Sequence, residues 1–464
     1  MNSDLLRPSS RTAPFRPLLS LAVSATLVAG ALAPNAARAQ EPAQRRIIEV
    51  TSPEFRAFPI AIPTARAPGE AALPGREITE QLRWDLETSI LFQVLDPKSF
   101  LADLEKEGLT AATIRFEDWL NVGAEGLIKI GVTGEETVQA TFRFFDVTSG
   151  RQLLERTYSA EADEARSLAH AFADALIAYL TGQPGIFQTK ISVIRKTRAG
   201  REVWVMHMDG TGAKPVTSNG SINLLPAWFP DGQKILFTSI QNHNPSMFEV
   251  PVTGGRAKVL SGRPGLNTGG AVSPDGRKVA LTLTRDGNSE IYVMNTDGTG
   301  LTRLTEEWTI DSSPSWSPDG RRIAFVSARH GDPQLFVMNA DGTGVRRITE
   351  QGNYNQTPDW SPRGDLIAFT ARDERNVFDI FTVDPETKII RRLTQDQGNN
   401  EEPSFSPDGN HIVFTSTREG RQQLWIMGVD GSKQRRLTES GGWMTPAWSP
   451  YLKKQSEMPA GASP

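Results

Sequence analysis

The sequence predicts an N-terminal α/β domain followed by a six-bladed all-β propeller closed by strands from both ends, and three observations carry that reading. A motif recurs six times: PAWFPDG at Pro226, GAVSPDG at Gly270, PSWSPDG at Pro314, PDWSPRG at Pro358, PSFSPDG at Pro403 and PAWSP at Pro446. Its second proline falls at Pro230, Pro274, Pro318, Pro362, Pro407 and Pro450, a spacing of 44, 44, 44, 45 and 43 residues. That period is the length of a four-stranded propeller blade. The array is also incomplete at both ends in complementary ways.

The segments follow in chain order. Arg7, Arg11 and Arg16 precede an apolar run from Leu18 to Ala33, and Ala37-Arg38-Ala39 follows with small residues. This is a signal peptide over residues 1–39. The run is short for a membrane anchor, which needs about 20 apolar residues, and no later stretch is apolar enough to span a bilayer. An exported, soluble protein is expected. Removing those residues takes away four basic groups and one acidic group, moving the net charge from −4 to −7. An acidic protein lacks the basic face that sequence-independent nucleic-acid binding requires, so no nucleic-acid partner is expected. There is no cysteine, which excludes disulfides, thiolate metal sites and thiol chemistry.

Residues 40–51 form a short extended segment, and residues 52–183 read as the α/β domain. Ile78, Leu82, Leu86 and Ile90 place a helix over residues 69–90, with a strand at Phe92-Gln93-Val94-Leu95 behind it. A short helix over 117–122 leads to a strand over 126–132. Residues 138–147 and 152–159 alternate as a hairpin around Ser149-Gly150, and residues 164–180 form an amphipathic helix. Thr181-Gly182-Gln183-Pro184-Gly185 ends it.

The propeller then occupies residues 184–450, with a polar, disordered tail expected over 451–464. In the unit from Pro314, Pro318-Asp319-Gly320 is a tight A–B turn. Residues 323–327 are strand B and 334–339 strand C. Asp341-Gly342-Thr343-Gly344 is the C–D turn and 345–349 strand D. PAWSP at Pro446 is a strand A with no blade after it, whereas residues 191–195 and 202–208 are strands B and C with no strand A before them. Pairing 447–449 with 191–195 closes the ring, and a closed ring leaves no open sheet edge; an open solenoid of the same repeat is the alternative.

In such a meander the A–B and C–D turns share one face. Their aspartates recur as turn residues, and neither EF-hand nor RTX calcium spacing is present. The D–A and B–C loops share the other face, where the copies diverge, and divergent loops on a rigid scaffold are the usual place for binding. Asn223, Asn267, Asp311, Asn355, Asn400 and Trp443 occupy one repeat position at the start of the innermost strand and are expected to ring the channel mouth. Leu266, Thr268, Ser312, Gln356 and Glu401 lie beside them, with Arg285, Arg329, Arg372 and Arg418 farther out. This is a candidate protein-docking funnel. An enzyme finds little support: no GxSxG elbow or HExxH motif is present, the five histidines are scattered, and only fourteen residues follow the last repeat. A propeller enzyme or glycan-binding protein using the same funnel is the competing reading; no cofactor or metal is expected.

The order of parts, with the α/β domain ending before LTGQPGIFQTKISVI, the run of SWSPDG and MNxDGTG repeats and the terminal PAWSPYL, resembles the TolB family of the Tol-Pal system. The resemblance implies a non-catalytic periplasmic scaffold that supports outer-membrane integrity and constriction during cell division. It implies docking of the lipoprotein Pal at the propeller mouth, through Leu266, Asn267, Gly269, Asp311, Ser312, Asn355, Gln356 and Asn400, with Asn223 at the same repeat position. It further implies contact with TolA through the N-terminal segment, here Ile47, Ile48, Glu49 and Val50, by addition of a strand to a sheet edge. The segment sits behind Gln40-Glu41-Pro42-Ala43-Gln44, a longer terminus than the family pattern. A monomer, peripheral to the membranes through its partners, is expected.

Overall fold

A computed structural model describes residues 56–452 other than 105, 242, 373 and 374. The expected signal peptide, the extended segment at 40–51 and the tail from residue 453 lie outside the described residues.

The N-terminal domain is one mixed sheet with two long helices. Its strands are β1 (Phe58–Ala61), β2 (Phe92–Val94), β3 (Gly126–Thr133), β4 (Thr137–Asp146) and β5 (Arg151–Glu161), in the order β2-β1-β3-β4-β5. Strand β1 pairs in parallel with β2 and β3, while β3, β4 and β5 pair antiparallel. Strand β1 leaves no mark in the sequence pattern, because four residues are too few to show a period and both partners are distant in the chain. Helices α1 (Ala72–Thr88) and α3 (Arg166–Thr181) cover one face of the sheet, and the short α2 (Phe116–Asn121) packs Trp119 against the other. Ile78, Leu82 and Leu86 are fully buried, as their spacing requires. The helix ends at Thr88 rather than at Ile90. Its last carbonyls are claimed by the propeller: Lys433 Nζ donates to Glu87 O at 3.0 Å and Ser89 O at 2.8 Å. Helix α3 ends at Gly182, whose φ of 74° lets its N–H turn back to Ala178 O.

Six blades follow. Blades 3 to 6 are separate four-stranded antiparallel sheets with strands A at Asn267–Val272, Asp311–Trp316, Asn355–Trp360 and Asn400–Phe405. Blades 1 and 2 are joined in one eight-stranded sheet by a single parallel bridge between Arg201 and Ile222. Blade 2 begins with strand A at Ile222–Trp228, and blade 1 takes its strand A, Trp443–Trp448, from the far end of the chain. That strand pairs antiparallel with Lys190–Lys196, setting Trp443 opposite Arg195 and Trp448 opposite Ile191. Each strand A touches the next around the circle, including Trp443–Trp448 against its neighbours in blades 2 and 6. Tyr451 belongs to this joint rather than to a tail, since its hydroxyl reaches Pro184 O at 3.3 Å.

The α/β domain sits on blades 1 and 6, on the side of the A–B and C–D turns, and one apolar cluster is continuous across both domains. It runs from Ile60 and Phe142 through Leu176 and Phe187 to Ile191, Val413 and Trp448. Polar contacts surround it. His411 meets Thr88 O at 3.0 Å, and Arg435 pairs with Glu87 at 2.5 Å. At the centre, His170 of α3 lies 2.9 Å from Asp85 of α1 and 3.6 Å from Asp209 of blade 1, all buried. Burial alone would push the imidazole down, but the two carboxylates outweigh it and raise it to about 10. The histidine is therefore charged at neutral pH and links the two domains.

Two outcomes are expected. Trp448 is buried with its Nε1 donating to Thr189 Oγ1 at 2.8 Å, so Trp448→Ala should cost about 3–5 kcal/mol, read by urea unfolding, because it loosens the joint that closes the ring. His170 binds its proton more tightly folded than unfolded, so its contribution is complete below about pH 6.5 and is lost as pH rises toward 10. His170→Gln should lower stability by about 3 kcal/mol at pH 6 and flatten the decline between pH 6.5 and 10 that the wild type shows.

Candidate functional site

The turns that recur along the chain explain why one face of the propeller is uniform. In the A–B turn of blade 4, Asp319 accepts from Ser317 Oγ at 2.5 Å and Arg321 N at 3.1 Å. Gly320, at φ 67°, returns its N–H to Ser317 O. Asp341 does the same work in the C–D turn, accepting from Thr343 N and Oγ1 at 3.0 and 2.7 Å. The Ser317 hydrogen bond is the main reason the Asp319 carboxyl lies below its ordinary range. These aspartates are spent on their own turns, and the α/β domain stands on this side. Among the described residues no group of three or more His, Asp or Glu is placed to hold a metal ion.

The opposite face is open, but its polar residues are not arranged as the sequence suggests. Asn223, Asn267, Asp311, Asn355 and Asn400 are buried and do not ring the channel mouth. The four asparagines reach back to the preceding blade, whereas Asp311 is held by Arg329 of its own blade. Asn355 Nδ2 donates to Gln334 Oε1 at 2.9 Å and to Thr349 Oγ1 at 3.1 Å. Asn223 makes the same bonds to Glu202 and Thr217 at 3.0 and 3.3 Å, and Asn400 reaches Asp379 at 3.0 Å. The threonine completes the clasp: Thr349 Oγ1 donates to Gln334 Oε1 at 2.7 Å and accepts from Leu335 N at 2.9 Å. In blade 3 the asparagine is held by Ser261, Arg263 and Pro245 instead. Asp311 pairs with Arg329 at 2.8 Å; burial raises its carboxyl, and Arg329 opposes that. The sixth copy, Trp443, is buried too, with Arg195 stacked over its ring at 4.4 Å. The physical reason is that the ends of strand C leave polar groups inside the blade, and buried polar groups must find partners.

The signal for this clasp is present in the chain. Glu202, Glu290, Gln334, Asp379 and Gln423 each stand fifteen residues before a threonine, and in four of these five the Asn or Asp follows six residues later. By itself that spacing does not distinguish a buried partner from a solvated one, because a polar residue in a loop serves either. The rim arginines are likewise held: Arg418 bonds Asn400 at 2.8 Å and Gln434 at 2.7 Å while lying over Trp425 at 4.2 Å.

What remains accessible lies beside the clasps. Leu266, Gly269, Ser312 and Gln356 are half-buried at the start of the inner strands. Every inner strand then bulges at the same place. Leu225, Gly269, Ser313, Thr357, Glu402 and Thr445 all have φ between 49° and 62°, and the register shifts there in each blade. The bulge turns an N–H to the previous blade: Ser313 N donates to Thr282 Oγ1 at 3.2 Å, Glu402 N to Thr370 Oγ1 at 2.9 Å and Thr445 N to Thr415 Oγ1 at 3.1 Å. Left-handed backbone at the five side-chain-bearing copies costs on the order of 1 kcal/mol each, which those bonds offset at Ser313, Glu402 and Thr445. Burial raises the carboxyls of Asp359 and Glu402 to about 7. Just outside the clasps stand residues that the sequence reading passed over: Ile222, Ile310 and Tyr354 are 44, 56 and 38% exposed, and Trp308 is 84% exposed.

A ring of blades stapled by buried polar clasps, with one face carrying an α/β domain and the other presenting half-buried and apolar loop residues, defines a two-domain β-propeller protein. The chain belongs to the TolB family: the model described as the TolB beta propeller domain matches residues 177–378 and 374–455, and that of the TolB amino-terminal domain matches residues 46–153. It is 45% identical over 227 residues to the Tol-Pal system protein TolB of Anaeromyxobacter sp. (strain K), covering 49% of this chain and 52% of that one. It is 48% identical over 206 residues to the Tol-Pal system protein TolB of Myxococcus xanthus (strain DK1622), covering 44% and 47%. The chain thus spans about half the length of the curated relatives it matches. The crystal structure of TolB from Acinetobacter baumannii superposes with a TM-score of 0.74 at 27% identity, covering 85% of this chain and 97% of that one.

Asn355→Ala should separate support from contact. It removes one of the two donors to Gln334 Oε1 and one of the two to Thr349 Oγ1 and is expected to cost about 1–3 kcal/mol in urea unfolding, whereas Gln356→Ala, beside it but half-exposed, should change stability by less than about 0.5 kcal/mol.

Proposed function

We propose that this protein is a non-catalytic periplasmic scaffold of the Tol-Pal system, which docks the lipoprotein Pal on the open loop face of the propeller and reaches TolA through its N-terminal segment. The observation that carries the reading is the division of the two faces. The uniform turn face carries the α/β domain over blades 1 and 6, while the loop face combines a rigid frame with half-buried Leu266, Gly269, Ser312 and Gln356 around the inner strands. In this reading Asn223, Asn267, Asp311, Asn355 and Asn400 hold the docking loops in place from behind, and the neighbouring side chains make the contact. A preordered loop face loses little entropy when it binds a partner. The names of the relatives and the family membership support a role in the Tol-Pal system, and through it in outer-membrane integrity and constriction at division.

For TolA, the segment Ile47-Ile48-Glu49-Val50 would add as an extended strand to a sheet of the partner. Its β-branched, apolar character and its position ahead of β1 support this assignment.

Calorimetric titration of the mature protein with the periplasmic domain of its cognate Pal tests the main claim. Saturable binding by the wild type is expected, with loss in the combined Ser312→Tyr and Gln356→Tyr variant while its unfolding midpoint stays unchanged. An absence of binding by folded wild type would overturn the assignment.

A further inference from the structure

The loop face is not equivalent around its circumference. The residue just before the clasp position is Ile222, Leu266, Ile310 and Tyr354 in blades 2 to 5, but Asn399 and Gly442 in blades 6 and 1. Apolar side chains therefore form a crescent over four consecutive blades, and the remaining two blades are polar or bare. Trp308 stands within the crescent, in the loop from blade 3 to blade 4. Three residues after the loop threonine, blades 1, 4 and 6 are followed by glycine (Gly220, Gly352 and Gly441) where this loop carries tryptophan.

The loop holding Trp308 is fixed on both sides of it. Glu307 N donates to Glu290 Oε1 at 2.8 Å, Asn288 Nδ2 donates to Glu307 O at 2.7 Å and also to Thr309 O, and the Glu307 carboxylate pairs with Arg329 at 3.2 Å. Glu290 is fully buried. An indole left 84% exposed on so constrained a backbone is a rigid anchor whose ordering cost is already met, the property that marks the aromatic centres of protein interfaces. Next to it the Glu306 side chain is 87% exposed and lies 3.9 Å from Arg303, its weak partner. The patch is thus apolar with one largely exposed carboxylate, Glu306, beside its tryptophan, and its complement is an apolar recess that sets a lysine or arginine against that carboxylate.

We infer that the partner docks off-centre on this face, anchored by Trp308 with Ile310 and Tyr354 and presenting to them an apolar cleft with a basic rim that faces Glu306. The inference rests on the reading of the loop face as the Pal-docking surface and adds which sector carries the energy. Trp308 touches the partner directly, whereas Asn288, Glu290 and Arg329 position it.

Titration of the cognate Pal periplasmic domain into the full mature chain, as wild type and as four variants, tests this, with unfolding midpoints measured on each. Trp308→Ala is expected to weaken binding by about thirtyfold, Trp308→Phe to recover part of that loss, and Asn399→Ala, on the polar sector, to bind within about twofold of wild type. Glu306→Lys should weaken binding and reduce its dependence on salt. Binding by Trp308→Ala within twofold of wild type overturns the off-centre anchor alone. Failure of the wild type to bind overturns the docking surface and the anchor together. Concentration-dependent dimers in sedimentation that Trp308→Ala abolishes would assign the patch to a second copy of this chain and also overturn it.

Discussion

The propeller depends on one strand pairing made across the whole length of the array. Until Trp443–Trp448 lies against Lys190–Lys196, blade 1 has no inner strand and the sheet edges on both sides of the gap are unpaired. The contact joins residues about 250 positions apart, so it forms only after a large loop has been closed. Its gain must exceed that entropy. The structure concentrates interactions there accordingly: Trp448 is buried in the shared core, Ser449 Oγ accepts from Lys190 N at 3.0 Å, and the α/β domain spans the joint by resting on blades 1 and 6. The domain that precedes the propeller thus covers its seam.

Polar groups inside the ring do structural work that apolar packing cannot do alone. Blades meet face to face through aromatic and β-branched side chains, which are tolerant of sliding. The clasps from Asn355 to Gln334 and Thr349, and their counterparts, have fixed donor and acceptor positions and so set how each blade follows the last. The inner-strand bulges add a second link, sending an amide from one blade to a threonine of the blade before it. Both devices lie next to the open face, so the loops there are anchored on a frame with little freedom.

Electrostatics divides the two faces further. On the side of the α/β domain, His170 between Asp85 and Asp209 is a buried charge balanced on both sides, and the domains separate only by exposing or stranding it. On the open side Arg329 is neutralised by Asp311 and Glu307 and stacked over Phe336, and Arg418 is held by the neutral amides of Asn400 and Gln434 over Trp425. The surface left for a partner presents exposed apolar groups over blades 2 to 5 together with exposed charges of both signs, among them Glu306 and Arg285.

The period of 44 residues, the proline and glycine turns and the unmatched end strands determined the blade repeat and the way the ring closes, because these depend on local backbone chemistry and on counting. The helical spacing of Ile78, Leu82 and Leu86 likewise determined α1, since a 3.6-residue period needs no distant partner. Strand β1 was not legible, as its four residues acquire their role only from β2 and β3. The direction taken by Asn223, Asn267, Asp311, Asn355 and Asn400 was not legible either: an asparagine at a loop's end serves solvent or a buried acceptor equally well, and only the approach of the preceding blade's strand C decides. The same holds for Trp308, which in the sequence is one more tryptophan among ten. Its exposure follows from where the folded backbone, held by Glu290 and Asn288, leaves it.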